Sequence, residues 1–405
     1  MTTEIETYLN SLSNDILTLD ISGKGIISLP DLTRFKNLEK LYCYRNKLTY
    51  LPTLPQNLKM LDCSDNQLTS LPTLPQNLER LDCNDNQLTS LPTTLPQNLQ
   101  KLYCSNNKLT SLPTTLPQNL EKLYCTNNKL TSLPTLPENL EKIFCYSNKL
   151  TSLPTLPQNL KLLYCYHNQL TSLPTLPENL EELYCYRNKL TYLPTLPQNL
   201  KLLDCSNNQL TSLPTLPQNL ELLYCYQNQL TSLPTLPPNL KILYYNNNQL
   251  TSFPTLPQNL EVLDCSNNLL TSLPTLPKNL QGLYCDNNQL TSLPTLPQNL
   301  EKLYCSNNQL TSMPTLPRKL HELRCSDNPI YEIVKNVSLK KIKRNIQILN
   351  NSRHLCYCLK LKDQFRKWLW KNVREPKIKI KYHPDYLLEH LGDEDDLDTV
   401  LDNWK

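Results

Sequence analysis

From Leu38 to Asn328 the apolar residues recur every 20 positions in the pattern L-x-x-L-x-C-x-x-N-x-L-T-S-L-P-T-L-P-x-N, stretched to 21 where an extra threonine enters at Thr93-Thr94 and Thr114-Thr115. Fifteen asparagines, from Asn46 through Asn188 to Asn328, hold the phase without a gap. A unit this short cannot enclose a core alone, so the copies must stack and bury their apolar edges against one another. Within each copy, L-x-C predicts a short strand that turns Leu and Cys inward and the residue between them outward. The L-P-T-L-P stretch has two prolines without the N–H that a helix or central strand needs, which predicts a polyproline-II-like return with little helix. The asparagine amide can both donate and accept, and so satisfies the backbone groups that the sharp turn removes from water.

Residues 1–37 hold a degenerate copy, with Ile16, Leu19, Ile21, Ile26, Leu29 and Pro30 in register and Lys24 in place of the asparagine, as suits an N-terminal cap. The core L-x-x-L-x-C-x-x-N-x-L resembles the leucine-rich-repeat consensus at nearly every defining place, over about three quarters of the chain. The resemblance implies an α/β-type solenoid, a horseshoe with a parallel concave sheet. The L-P-x-L-P variant looks like the repeats of bacterial secreted effectors, some of which carry a ubiquitin-ligase domain with a Cys-x-Asp motif. Only 77 residues follow the last copy, and Cys63, Cys83 and Cys325, the cysteines of the Cys-x-Asp matches, lie inside repeats with sulfurs expected in the core. The near-identity of the copies, the N-terminal cap and the tail beginning at Arg366-Lys367-Trp368 also resemble the leucine-rich-repeat proteins of giant amoeba-infecting DNA viruses of mimivirus type, which implies a factor that engages a host protein.

Thirty-three prolines against four glycines would indicate disorder, were the prolines not locked to the leucine period. Fourteen of sixteen cysteines share one phase of the repeat, which argues for reduced, buried thiols rather than a disulfide scaffold. Acids in Met1-Thr2-Thr3-Glu4-Ile5-Glu6 do not suit a secretory signal, and no apolar run reaches the roughly 18 residues of a membrane span. The expected setting is intracellular and cytoplasmic, or host cytoplasm for a viral protein, with no membrane association. A net charge of +4 implies neither nucleic acid nor membrane by itself.

Between the inward Leu and Cys, ten of the fifteen copies place an aromatic residue, the exceptions being Asp62, Asp82, Asp204, Asp264 and Arg324. One position past the cysteine, Tyr44, Tyr146, Tyr166, Tyr186 and Tyr226 add a second outward column. The predicted partner-binding residues are Phe144, Tyr146, Tyr164, Tyr166, Tyr184, Tyr186, Tyr224 and Tyr226, because tyrosine buries a large ring at low entropic cost and keeps a polar hydroxyl. The alternative is that stacked rings only brace neighbouring strands, by roughly 0.5–1 kcal/mol per pair. Lys122, Lys142, Lys149, His167, Arg187 and Lys189 near this patch favour acidic groups on the partner or form a solvated rim. One copy breaks the inner ladder, with Tyr245 for Cys, Phe253 for Leu and Pro238 just upstream.

After Pro329 the period stops, and two helical stripes are expected, one from Ile333, Val334 and Val337 to Leu349 and one from Leu355 and Cys358 to Leu369. Their expected role is to cover the open end of the stack. Residues 335–381 hold fifteen Lys or Arg against two acids, whereas 385–402 hold eight acids and no base. Arg366, Lys367, Trp368, Trp370 and Lys371 are the candidate nucleic-acid contacts, through phosphates and stacked bases. The acidic tail could instead fold onto this basic surface.

The expected organisation is an N-terminal cap over 1–37, an array over 38–328 and a helical, basic-then-acidic segment over 329–405. The expected function is that of a protein-binding scaffold or adaptor. No catalytic residue, metal site or cofactor is expected, and no small-molecule substrate. The alternative function is nucleic-acid association through the basic segment.

Overall fold

In the computed structural model every coil carries a three-residue strand that ends just before the ladder cysteine position, and its middle leucine or isoleucine lies on the inner side. The structure describes residues 2–331 and 338–377. The strands run from β1 (Thr18–Asp20) through β9 (Glu182–Tyr184), β10 (Leu202–Asp204) and β11 (Leu222–Tyr224) to β16 (Glu322–Arg324). They form one 16-stranded sheet in sequential order, and every pairing is parallel. Register is strict, with Leu183 opposite Leu203 and Leu203 opposite Leu223, so each inner side chain stacks on its copies. Parallel strands in sequence need a crossover, and the proline-bearing return supplies it without helix or named strand. At its end a tight turn closes, as where the Leu200 N–H donates to the Pro197 carbonyl at 3.2 Å.

The core is a set of parallel ladders. Leu180, Leu183, Cys185 and Leu190 are each 0% exposed, and the same four positions are buried in nearly every coil. Fourteen cysteines of the ladder are free and buried, as expected. Several thiols donate to the next strand, Cys63 Sγ to the Asp82 carbonyl at 3.4 Å and Cys83 Sγ to the Tyr103 carbonyl at 3.3 Å. A small, weakly polar thiol thus fills space and meets a carbonyl where leucine could only fill space. Burial pushes the Cys43 and Cys145 thiols up to about 12, so they stay protonated at neutral pH.

Each asparagine holds two coils at once. Asn188 Nδ2 donates to the carbonyls of Cys165 (3.1 Å) and Cys185 (3.0 Å), while its Oδ1 accepts the Leu170 N–H at 3.0 Å. In the degenerate first coil Asn46 does this work from the following coil, accepting from the Lys24 and Ile26 amides and donating to the Ile21 carbonyl. A short helix that the pattern did not announce, α1 (Thr2–Asn10), precedes it, with Ile5 and Leu9 buried one turn apart.

The C-terminal segment is a separate unit and corrects one expectation. Instead of two helices, a single helix α2 (Leu339–Leu369) runs through the intended break, followed by a wider turn over Trp370–Arg374. Asn350, Asn351 and Ser352 weaken a helix without stopping it, since no proline or glycine stands there, and Gln347 Nε2 donates to Asn351 Oδ1 across one turn. Ile333, Val334, Val337 and the acidic stretch 385–402 lie outside the described residues. No described helix is long and apolar enough to cross a membrane.

Candidate partner-binding face

The outward residues of the strands form two columns of rings. In the first, Tyr103, Tyr124, Phe144, Tyr164 and Tyr184 follow one another with centroids 4.3–4.7 Å apart. In the second, Tyr146, Tyr166 and Tyr186 stack almost parallel at 4.2 and 4.3 Å. Strand spacing imposes this, because parallel in-register strands about 4.8 Å apart bring identical side chains nearly to ring contact. The predicted six-ring patch from Phe144 to Tyr186 is therefore continuous, and all its rings are half-buried by one another. Tyr224 and Tyr226 lie two strands beyond β9, with Tyr224 packed edge-on against Tyr244 at 5.2 Å.

Electrostatically the patch is mostly neutral. Burial, then neighbouring phenols, raise Tyr166 well above the ordinary phenol range, and burial plus the bond from its hydroxyl to Glu182 raise Tyr164. The hydroxyls thus remain protonated and can both donate and accept. At one edge Arg187 Nη1 lies 2.5 Å from His167 Nε2, and burial followed by the Arg187 charge lowers the His167 pKa, which keeps the imidazole a neutral acceptor. Lys122 and Lys142 sit in register beside Lys101, at the strand position before the inner leucine, while Lys149 and Lys189 are exposed in the turns.

A feature missed in the sequence emerges at the turn. The residue before each ladder asparagine has a positive φ, from Asn127 at 50° to Asn247 at 57°. Asn and Asp tolerate this left-handed conformation best, and they occupy it in ten coils. The five coils that place Arg45, Ser147, His167, Arg187 or Gln227 there are the five whose preceding residue is a second-column tyrosine, Tyr44, Tyr146, Tyr166, Tyr186 and Tyr226. Wherever the face gains its second ring, the turn gives up its preferred residue.

Asp204 was also missed, having been noted only as a gap in the aromatic column. It stands in register between Tyr184 and Tyr224, 9% exposed, with Oδ1 accepting from Ser206 Oγ at 2.6 Å and Ser206 N at 3.1 Å. Burial raises its carboxyl above the usual range, partly offset by the Ser206 bonds. The signal was available, since its coil is the one copy flanked on both sides by two-tyrosine copies.

On the C-terminal unit, Trp368 and Trp370 are 55% and 53% exposed, with Arg366, Lys367 and Lys371 exposed beside them. Phe365 and Trp368 lie near-parallel at 6.1 Å. Among the described residues no group of three or more His, Cys, Asp or Glu is arranged to hold a metal.

Stacked coils, a parallel sheet and one asparagine per turn are the marks of a known repeat architecture, and family models agree. Models described as leucine-rich repeats match residues 56–97, 97–138, 238–278, 258–298 and 278–318, and a single-repeat model matches 199–220. Among solved structures the chain is similar to YopM from Yersinia enterocolitica, at 38% identity and a TM-score of 0.69, covering 78% of this chain and 77% of that one. The chain belongs to the leucine-rich-repeat family. It is likewise similar to YopM of Yersinia pestis, described as a leucine-rich effector protein, at 40% identity and a TM-score of 0.68 over 76% of this chain and 88% of that one. A leucine-rich-repeat protein of Leptospira interrogans matches at 30% identity and 0.57, over 83% and 95% of the two chains. No curated protein sequence matches. These matches bear out the likeness to bacterial effector repeats, whereas the giant-virus resemblance has no counterpart among them.

Proposed function

We propose that this protein is an intracellular, non-catalytic scaffold or adaptor that grips a protein partner against the aromatic columns at Phe144, Tyr146, Tyr164, Tyr166, Tyr184, Tyr186, Tyr224 and Tyr226. The observation that carries this reading is the coupling of second-column tyrosines to disfavoured turn residues. Bracing of strands accounts for Tyr146, Tyr166 and Tyr186, which stack. It does not account for Tyr44 or Tyr226, whose column neighbours are Ser64 for the one and Ser206 and Asn246 for the other. Tyrosines retained at strained turns without a ring to stack on fit a surface selected for contact with something else. On the giant-virus resemblance, that partner would be a host protein.

The test compares the full-length protein with a variant carrying Tyr164→Ala, Tyr166→Ala, Tyr184→Ala and Tyr186→Ala, each used to capture partners from cell extract. The variant should keep the far-UV spectrum and cooperative melting of the array while losing the captured partner. Retention of that partner by the folded variant removes the face as the binding site.

The exposed Phe365, Trp368 and Trp370 among Arg366, Lys367 and Lys371 favour a second reading, contact with a nucleic acid. Binding of single-stranded oligonucleotide that weakens steeply with salt and disappears on charge reversal at Arg366, Lys367 and Lys371 would support it.

A further inference from the structure

At β10 the two aromatic columns are interrupted together. Asp204 replaces the first-column ring and Ser206 the second, while Tyr184 and Tyr186 stand on one side and Tyr224 and Tyr226 on the other. The gap opens into a depression of about 530 Å³ that also runs back over Tyr164 and Tyr166; at the gap itself Tyr184, Tyr186 and Tyr226 form the walls, with Asp204 between them and Arg187 at the rim. β9 and β11 are two strand spacings apart, about 9.6 Å. A flat group held between two ring faces at van der Waals contact needs roughly 7 Å. The interruption therefore has the thickness of one planar group, entered from the exposed side, with room for tilt.

Its chemistry selects the charge. Ring faces attract cations, and a carboxylate buried in the floor does so more strongly. Both hydrogen bonds given to Asp204 fall on Oδ1, and among the described residues no cation pairs with its Oδ2. Arg187 does not fill that role, because its Nη1 is turned toward His167 in the preceding coil. A planar cation that stacks on rings while donating to a carboxylate is a guanidinium, not an ammonium.

We propose that this slot receives an arginine side chain of the partner protein, its guanidinium sandwiched between Tyr186 and Tyr226 and donating to Asp204. The assignment rests on the scaffold reading above and gives the partner's chemistry at one point of the face. The fold supplies its own control in Asp264. That carboxylate also stands between first-column tyrosines, Tyr244 and Tyr284, and accepts from Ser266 N at 3.0 Å, but its coil and both neighbours lack a second-column ring. It has a floor without the second wall.

The experiment titrates the full-length protein, labelled with ring-¹³C tyrosine, with N-acetyl-arginine methylamide, its neutral citrulline isostere and the lysine equivalent. Saturable shifts at Tyr186 and Tyr226, assigned by Tyr→Phe variants, are expected with arginine at millimolar concentration, at least about tenfold weaker with lysine and absent with citrulline. Asp204→Asn, whose amide oxygen can still accept from Ser206, should weaken the arginine response about tenfold. Asp264→Asn should leave it unchanged. An equal response to citrulline or lysine, or one indifferent to Asp204→Asn, overturns the assignment. Partner capture separates the two levels: a partner kept by Asp204→Asn but lost with the four tyrosines discards the slot alone, whereas a partner kept without those tyrosines discards the scaffold reading itself.

Discussion

The side-chain oxygen of Asn188 lies 3.0 Å from the amide nitrogen of Leu170, eighteen residues earlier and in the preceding coil. The same side chain donates to carbonyls of both coils, so its amide is a rivet between repeats rather than a turn residue serving its own loop. Asn188→Ala would leave the Leu170 N–H unpaired and strip one of two asparagine donors from each of the Cys165 and Cys185 carbonyls, which keep Asn168 and Asn208, at a cost of about 1–3 kcal/mol. Denaturant melts should show that loss, and hydrogen exchange should quicken first at Leu170. Unchanged stability would mean that the ladder is decorative.

The left-handed turn gives a prediction of opposite sign. Gln227 has φ 53° where ten other coils place Asn or Asp. Gln227→Asn relieves that strain without touching the ring of Tyr226, and should stabilise the array by roughly 0.5–1 kcal/mol. The same change at Asn207, which is already Asx, is not available, so Ser147→Asn is the matched second case. Both midpoints should rise, and partner capture should persist.

Repetition explains which parts of this molecule could be read in advance. The inner and outer faces of each strand were legible because fifteen copies vote on every position, and Leu183 and Cys185 emerged buried with Tyr184 between them, as the alternation requires. Non-repeating parts lacked that vote. The helix Thr2–Asn10 is signalled only by Ile5 and Leu9, and the two apolar stripes, one ending at Leu349 and one beginning at Leu355, fall on a single helix because nothing between them ends it. Asp204 was hidden for a different reason: its meaning lies in what stands one strand away on each side, and a column read down the sequence records it merely as an exception.

Asp204 also carries a pH signature. Its carboxyl is raised because burial penalises the charge, so over the interval between the ordinary value of 3.8 and the raised one the folded state holds more protons than the unfolded. Stability contributed by this group is therefore lost as pH rises through that interval and stays lost above it. The ionisable neighbours Tyr184, Tyr224, Cys185 and Cys205 are all themselves raised, and leave the window to the carboxylate. Asp204→Asn removes the penalty and keeps an acceptor for Ser206. Its melting temperature should exceed that of the parent at pH 7, and the difference should shrink below about pH 4, where the parent carboxyl is protonated in both states. A difference that grows in acid would reverse the sign of the burial argument.

Tyr245 tests whether agreement with the repeat is the same thing as stability. Fourteen coils place a cysteine at this inner position, whereas Tyr245 is 0% exposed there, its hydroxyl 3.4 Å from the Ser232 carbonyl and its ring 6.4 Å from Phe253. Restoring the pattern with Tyr245→Cys would exchange a large ring for a small thiol, and the stacked coils on either side are pinned by their own ladders, so they cannot close the space. The cavity should cost about 2–4 kcal/mol, near the range for deleting a buried ring. Adding Phe253→Leu, which completes the consensus, should enlarge the void and leave the loss unrecovered. Denaturant midpoints of the single and double variants decide the matter. A double variant as stable as the parent would show that the two rings are a matched insertion into an otherwise indifferent coil.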